Sequence, residues 1–195
     1  DVELDAARED ARLISAEVQR CRDVLDRMAV DAGAARGEAP AATTAEALVA
    51  AVRERLRPGV QLRTEVASGL PTLPLPLGSV ATAVAGLCDN AVRASATAVE
   101  PAALGIAAHA DGWAIAVRDR GPGIDAATLA RIGDPFFSTR PHGEGMGLGV
   151  FLAREVARRL GGTLQLQSAV GDGVLATMTL PGPGTTRDEP NRGRR

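Results

Sequence analysis

Residues 113–149 read WAIAVRDRGPGIDAATLARIGDPFFSTRPHGEGMGLG and carry most of the information about the fold. They open with Trp113, Ile115 and Val117 at every second position, which predicts a strand with one buried face. The strand ends at Asp119, which is followed by RGPG. A carboxylate here can accept a hydrogen bond from a base amino group, and glycines let a flat ring approach the backbone. Taken alone, however, DxGxG is more often a plain Gly-Pro turn.

The end of this stretch, GEGMGLG (residues 143–149), opens a helix that we expect over residues 147–160. A glycine-rich turn before a helix presents backbone N–H groups and the positive end of the helix dipole to a phosphate. A lone GxGxG is a weak signal. No strand directly precedes the turn and no βαβ unit surrounds it, so the pattern fits a Rossmann-type dinucleotide site poorly.

The segment DPFFSTR (residues 134–140) contains two of the three phenylalanines in the chain, Phe136 and Phe137. Paired aromatic side chains in a loop typically clamp a ligand or pack a mobile lid, and they also serve as a local hydrophobic anchor. Arg140 in the same loop has two open interpretations, a contact to a γ-phosphate or a solvated surface charge.

A second helix, expected over residues 78–96, contains the sequence LCDNAVR at positions 87–93. Helical spacing places Asn90 and Arg93 on one face. An Asn amide oxygen is a suitable ligand for Mg²⁺, and an arginine one turn later can pair with phosphate. The alternative is an ordinary amphipathic helix with a solvated polar edge.

The rest of this domain alternates between helical and strand patterns. Thr43 or Thr44 can cap a helix that runs to about Leu56. A Pro-rich passage and a long loop are expected at residues 71–76 and after residue 123. Further strands are expected at residues 60–66, 103–109, 163–168 and 174–180.

The first thirty residues show the period of a coiled coil or helical bundle. Apolar residues recur there at spacings of three and four, at Leu4, Ala7, Ala11, Ile14, Val18, Cys21, Leu25 and Met28. A single helix with one apolar stripe needs a partner to bury it. We therefore divide the chain into a helix (1–30), a linker (31–42), a globular domain (43–181) and a disordered tail (182–195).

Composition excludes several classes of function. A net charge of −2, 2% aromatic residues and no tyrosine argue against nucleic-acid binding. The chain has no lysine, so neither a P-loop lysine nor the strand lysine of a eukaryotic-type kinase is available. Without a membrane-spanning run, a signal peptide or a cysteine framework, we expect a soluble, cytoplasmic chain.

The order and spacing of these blocks are more specific than any one of them. Asn on a helix, then DxGxG, DPFF and GxGxG, resembles the N, G1, F and G2 boxes of the Bergerat (GHKL) ATPases, and DPFF is typical of the sensor histidine kinases among them. The resemblance covers roughly residues 43–181. It implies an α/β fold, a Bergerat-type two-layer sandwich with a mixed sheet of about five strands under three helices, preceded by a long N-terminal dimerisation helix.

The resemblance also implies roles for the matching positions, with ATP and Mg²⁺ as cofactors. Asn90 would hold Mg²⁺, Arg93 would contact phosphate and Asp119 would bind the adenine amino group. Gly121 and Gly123 would form the floor of the base pocket. Phe136 and Phe137 would hold a lid together, and Gly145, Gly147 and Gly149 would cradle phosphates. The complete expected cofactor-binding set is Asn90, Arg93, Asp119, Gly121, Gly123, Ile124, Phe136, Phe137, Arg140, Gly145, Met146, Gly147, Leu148, Gly149 and Thr177.

Two segments, EVQRCRDVL (17–25) and residues 138–153, look like the redox-responsive RegB/PrrB-type kinases. That likeness implies that residues 1–30 are the second helix of a dimerisation and phosphotransfer hairpin, with Cys21 in redox control. It also implies a homodimer through this helix bundle and a response regulator receiver domain as partner. The phosphoacceptor histidine, and any anchor in the inner membrane, would lie on segments outside this sequence.

One position departs from the pattern. Four residues before Asn90, sensor kinases usually have a second Asn and the hydrolytic members have a Glu base, whereas this chain has Gly86. Loss of the base argues against a water-activating ATPase, and loss of the Asn weakens the Mg²⁺ site. We expect phosphoryl transfer from ATP to a histidine on another segment, since neither His109 nor His142 resembles the acceptor. The alternatives are a nucleotide-binding regulatory module and an anti-sigma-factor-type serine kinase of the same fold.

Overall fold

The computed structural model describes residues 38–135, 137 and 147–183. The chain divides into two units, Asp1–Gly37 and Glu38–Arg195, and all described residues belong to the second. The predicted N-terminal helix, most of the predicted linker and nearly all of the predicted tail lie outside the described residues. The helices and strands, in chain order, are β1 (Ala41–Thr43), α1 (Ala45–Arg55), β2 (Leu62–Val66), β3 (Leu73–Leu75), α2 (Leu77–Ala94), β4 (Ala102–His109), β5 (Gly112–Arg118), α3 (Ala126–Arg131), α4 (Gly149–Arg159), β6 (Thr163–Ser168) and β7 (Val174–Leu180).

Five of the strands form one mixed sheet in the order β2-β4-β5-β7-β6. β2 pairs with β4 in parallel, and every other pair in this sheet is antiparallel. The short strands β1 and β3 form a separate antiparallel pair. This arrangement confirms the mixed five-stranded sheet expected from the sequence.

The sheet has one buried face and one face that is half exposed, as the alternating burial along β4, β5 and β7 shows. α1, α2 and α4 contact the sheet and share one hydrophobic core with its buried face. The largest fully buried side chains in this core are Trp113, Leu48, Leu73, Leu104, Ile115, Met178 and Leu180. The fold is therefore a two-layer α/β sandwich, as the resemblance to the Bergerat ATPases implied.

The two helices before residue 95 begin in different ways. Thr44 caps α1, because its hydroxyl oxygen accepts a hydrogen bond from the backbone N–H of Ala47 at 3.2 Å. Pro76 precedes α2 and gives it no side-chain cap. Instead, the Glu38 carboxylate accepts hydrogen bonds from the N–H groups of Gly78 and Ser79, at 2.8 and 3.2 Å. Residue 38, which the sequence placed in the linker, therefore contacts the first turn of α2.

Three elements differ from the sequence-based expectations. β1 and β3 were not predicted, and the second of them lies in the Pro-rich passage. α3 stands where a long loop was expected. It is capped by Asp125, which accepts hydrogen bonds from the backbone and hydroxyl of Thr128 at 2.9 and 2.8 Å. These hydrogen bonds lower the pKa of Asp125. Within the described ranges, no helix combines the length and the hydropathy needed to cross a bilayer.

Candidate functional site

A cavity of about 410 Å³ lies between the helices and the end of the sheet. α2 and α4 supply one wall, and the sheet supplies another through side chains of β5, β6 and β7. The segment after β5, together with the turn that follows α3, closes a further side. The lining is mainly apolar, and its polar side chains among the described residues are Asn90 and Asp119.

The cavity brings together about half of the residues expected to bind the cofactor. These are Asn90, Asp119, Ile124, Phe137, Gly147, Leu148 and Gly149. The described part of the chain places four others outside the lining, namely Arg93, Gly121, Gly123 and Thr177. The remaining expected residues, Phe136, Arg140, Gly145, Met146 and the redox candidate Cys21, lie outside the described residues.

Asp119 directly follows β5, is 5% exposed and lines the cavity. Its Oδ1 accepts hydrogen bonds from the backbone N–H groups of Gly121 and Val174, at 2.8 and 3.1 Å. The backbone N–H of Asp119 also donates to the carbonyl of Val174 at 3.0 Å. Among the described residues, no donor hydrogen-bonds to Oδ2. One oxygen therefore fixes the loop, and the other is available to a ligand in the cavity.

Asn90 lies on α2 beside the start of α4. A Cβ added to Gly149 would lie 3.4 Å from its Nδ2, which shows how closely α4 approaches this amide. Gly86, one turn earlier, packs against Gly149 in the same way, with 4.0 Å between a Cβ at residue 86 and the Cα of residue 149. The two helices are thus in close contact where the family pattern has a second Asn.

The chemistry of Asn90 fits Mg²⁺ as a nucleotide-bound ion. Mg²⁺ usually takes only one or two protein ligands and fills its remaining positions with phosphate oxygens and water. The described residues contain no cluster of three or more His, Cys, Asp or Glu that could hold a metal without a nucleotide. The side-chain oxygen of Asn90 at the cavity wall can serve as one protein ligand of this ion. Gly86 has no side chain and supplies no second ligand.

Arg93 is turned toward a neighbour on its own helix. Its Nε donates to Asp89 Oδ2 at 2.8 Å, and Arg57 contacts the other oxygen of the same carboxylate at 3.5 Å. Arg93 and Asp89 are one helical turn apart, which is the favourable i,i+4 spacing for an ion pair. This pairing holds Arg93 at the surface instead of in the cavity lining.

Gly121 and Gly123 are close to protein atoms, and neither lines the space for a base. A Cβ on Gly121 would lie 2.8 Å from the carbonyl oxygen of Ala94, at the end of α2. Gly123 has a φ of +68°, and a Cβ there would collide with the carbonyl of Ala169. The two glycines let the loop after Asp119 pack between α2 and the β6–β7 connection, and neither is among the residues that line the cavity.

Thr177 lies on the opposite face of the sheet from the cavity. It pairs in register with Ala116 and Gln165, whereas its neighbour Ala176 is buried and lines the cavity together with Val174. Successive side chains of a strand point to opposite faces. Thr177 therefore does not line the cavity, whereas the adjacent Ala176 does.

Sequence reasoning also missed most of the apolar wall. Leu87, Ala91 and Ala94 line the cavity from α2, with Val117 and Leu166 from the sheet. The three helical residues follow one another at spacings of four and three, so the periodicity of α2 could have indicated them. The strand residues carry no comparable signal, since they have the pattern of ordinary core positions.

Cys88 lies on the same helix but faces the core. It is fully buried, and this burial raises the pKa of its thiol to about 12. The thiolate is the reactive form of cysteine, so Cys88 is expected to be chemically inert in the folded protein.

Similarity to known proteins agrees with this geometry. The model of the family described as histidine kinase-, DNA gyrase B- and HSP90-like ATPase matches residues 78–184. The sensor protein kinase FleS of Pseudomonas aeruginosa is 38% identical over 98 residues, covering 50% of this chain and 24% of FleS. The signal transduction histidine-protein kinase AfsQ2 of Streptomyces coelicolor is 29% identical over 178 residues, covering 87% of this chain and 32% of AfsQ2.

A solved structure shows the same fold. Full-length ShkA in complex with AMPPNP superposes with a TM-score of 0.63 at 26% identity, covering 73% of this chain and 31% of ShkA. The chain thus spans about a quarter to a third of these larger proteins. The chain belongs to the histidine kinase-, DNA gyrase B- and HSP90-like ATPase family.

Proposed function

We propose that this chain binds ATP and transfers its γ-phosphate to a histidine on another segment of a two-component sensor kinase. The observation that carries the proposal is the carboxylate of Asp119, which lines a mainly apolar cavity and whose Oδ1 is held by two backbone N–H groups. A carboxylate only accepts hydrogen bonds, so it suits an amino group on a flat, otherwise apolar ring. Adenine has both properties, and the AMPPNP complex of ShkA supports this ligand class.

The phosphates would lie at the other end of the cavity, where α4 begins. Gly147, Leu148 and Gly149 line the cavity there, and the first turn of α4 carries no acidic residue. The free N–H groups and the dipole of a helix N-terminus favour an anion at such a place. The absence of lysine leaves these amides, together with arginine and metal, to neutralise the charge.

Asn90 would contribute an oxygen to Mg²⁺ between these two ends of the cavity. The bound ion supplies charge neutralisation on the phosphates during transfer. The task of the chain is to hold the nucleotide in line with the attacking imidazole, and correct positioning accounts for much of the rate of phosphoryl transfer.

The described lining residues include no free side chain that could activate water, and this favours phosphoryl transfer over hydrolysis. Among the described lining residues, the only carboxylate is Asp119, and its Oδ1 is already engaged by two backbone N–H groups. Gly86 occupies the position where a general base would be needed to activate water. The acceptor imidazole of a histidine is itself a nucleophile and needs no such base.

Incubation of the chain with γ-labelled ATP and a separately produced histidine-bearing helical segment tests this function. We expect label on the segment that is lost in acid and stable in base, as for phosphohistidine. Asp119→Asn should reduce the labelling, because the nucleotide is bound less tightly. Binding of ATP without any transfer would instead identify a nucleotide-binding regulatory module, the alternative that Gly86 favours. Acid-stable label on serine would identify a serine kinase.

A finer proposal concerns the subfamily. The sequence EVQRCRDVL and the segment at 138–153 support a RegB/PrrB-type redox-responsive kinase in which residues 1–30 form a dimerisation helix and residues 31–42 a linker to the ATP-binding domain at 43–181, with a short tail after it. In this proposal Cys21 lies in the dimer seam, the partner is a response regulator receiver domain, and the intact kinase is anchored in the inner membrane by segments outside this sequence.

A further inference from the structure

We propose that Arg154 is a positioning residue of the nucleotide site. It would act by holding the turn after α3 in place as one wall of the cavity. The inference rests on the proposed function, because it concerns how the same cavity keeps its shape. Arg154 itself does not line the cavity, so its effect on a ligand would pass through the residues that it contacts.

The turn in question is formed by Ile132 and Gly133, both of which line the cavity. Ile132 ends α3, and its N–H donates to the carbonyls of Thr128 and Leu129. Gly133 is buried and has a φ of +101°, a conformation that side chains rarely adopt. A short six-residue helix and a left-handed glycine give this wall little rigidity of their own.

Arg154 reaches this turn from the middle of α4. Its Nη2 donates to the carbonyl oxygen of Ile132 at 3.1 Å. Its guanidinium also lies flat beside Gly133, since a Cβ at that position would be 2.6 Å from Cζ, Nη1 and Nη2. The missing side chain of residue 133 therefore provides the space that the guanidinium occupies, and a single arginine contacts both residues of the turn.

The same wall continues to Phe137. The N–H of Asp134 donates to the carbonyl of Arg131, and the N–H of Phe137 donates to the carbonyl of Asp134. Arg131 lies over the Phe137 ring, with its Cζ 4.2 Å from the ring centre. Phe137 lines the cavity, so a shift of the Ile132–Gly133 turn would be passed on to it. Arg154 thus links α4, whose start we assign to the phosphates, to the apolar wall that faces the base.

The test is the affinity of the full chain for ATP and for ADP in Arg154→Gln. We expect both dissociation constants to rise about 3- to 10-fold and by the same factor, because an exposed charge-assisted hydrogen bond is lost and the wall is shared by both nucleotides. Hydrogen exchange at residues 132–135 should be faster than in the wild type in the absence of nucleotide. The matched control is Arg158→Gln, one turn further along α4, where the arginine pairs with Glu155 among the described residues. The nucleotide affinities and hydrogen exchange of this variant should be unchanged.

Gly133→Ala provides the second arm, because its methyl group displaces the same guanidinium. The affinity loss caused by Gly133→Ala should be smaller in the Arg154→Gln background than in wild type, and should be undiminished in the Arg158→Gln background. Unchanged affinity in Arg154→Gln overturns the inference. So does a loss for ATP without a loss for ADP, which would indicate a direct γ-phosphate contact. A wild-type chain that binds neither nucleotide would contradict the proposed function itself.

Discussion

Asp119 uses its two carboxylate oxygens for different purposes. Oδ1 accepts two backbone hydrogen bonds that hold the loop after β5 against the start of β7. Oδ2 has no donor among the described residues and borders the cavity. A single side chain thus combines a structural and a recognition role, and a test of recognition must keep the structural half intact.

Asp119→Asn meets this requirement. The amide oxygen of asparagine can still accept from Gly121 and Val174, while its NH₂ group replaces the acceptor that faces the cavity. Two donors then face each other at the adenine amino group, and the loss of a hydrogen bond to a charged acceptor costs about 1.5–3 kcal/mol. We expect at least about tenfold weaker ATP binding in titrations with a fluorescent ATP analogue.

Two comparisons make this measurement specific. Asp172→Asn changes an exposed carboxylate that pairs with Arg118 in the described part of the chain, and it should leave ATP affinity unaltered. GTP, which carries an acceptor oxygen where ATP carries the amino group, should lose no affinity in Asp119→Asn. Equal ATP affinities for wild type and Asp119→Asn would refute the base-pocket assignment.

At the scale of helices and strands, regular periods made most elements predictable. The stripe of α2 and the alternation of β5 and β7 extend over enough residues to reveal the period, and the predicted strands 163–168 and 174–180 match the structure. β1 and β3 contain three residues each, which is too short for any period to emerge. α3 is also short, although Asp125 followed by Thr128 is a capping signal that could have identified it.

The site was predictable where chemistry requires an unusual residue. Asn90, Asp119 and the glycines at the start of α4 stand out in the sequence, and the structure places them around one cavity. Val174 and Ala176 are small apolar residues of the kind found throughout a protein core, so only the register of β7 shows that they face the cavity. The position of Arg93 could not be predicted, because a ligand phosphate and the Asp89 carboxylate one helical turn away are both possible partners. In the structure Arg93 pairs with Asp89.

Glu38 provides a prediction about an element. α2 carries Asn90 but has neither a capping side chain at Pro76 nor an acidic residue in its first turn, so the Glu38 carboxylate alone satisfies its first N–H groups among the described side chains. Glu38→Ala should reduce the free energy of unfolding by about 0.5–1.5 kcal/mol, measured by urea denaturation. The free energy of unfolding of Glu38→Gln should lie between those of wild type and Glu38→Ala, because glutamine keeps an acceptor oxygen but loses the charge that the helix dipole favours.

Glu54 offers the matched control for this measurement. It is exposed near the end of α1, where a negative charge gains nothing from the helix dipole, and its replacement by Ala should not lower stability. Identical unfolding midpoints for Glu38→Ala and wild type would mean that water replaces the carboxylate without loss. The cap would then have no energetic role.

At the scale of the whole molecule, the chain contains two cysteines, of which Cys88 lies within the described residues and Cys21 does not. Cys88 lies on α2 within the hydrophobic core, and burial raises the pKa of its thiol from 9.0 to about 12. At pH 8 it therefore remains a protonated thiol in the folded protein, and only the thiolate attacks a disulfide or an oxidant. A disulfide that forms between folded chains near neutral pH must then come from Cys21.

Oxidation of the chain to a covalent dimer tests the proposed dimer seam directly. If residues 1–30 pair as the heptad spacing predicts, two copies of Cys21 approach each other across the axis, and flanking Arg20 and Arg22 favour the thiolate. A disulfide further requires Cα atoms within about 7 Å, so the bridge forms only if the pairing is in register. Mild oxidation at pH 8 should give a covalent dimer on non-reducing gels in wild type and in Cys88→Ala, and none in Cys21→Ala. A dimer that persists in Cys21→Ala, or that never forms in wild type, excludes the bridge and leaves Cys21 as a small packing residue of the seam.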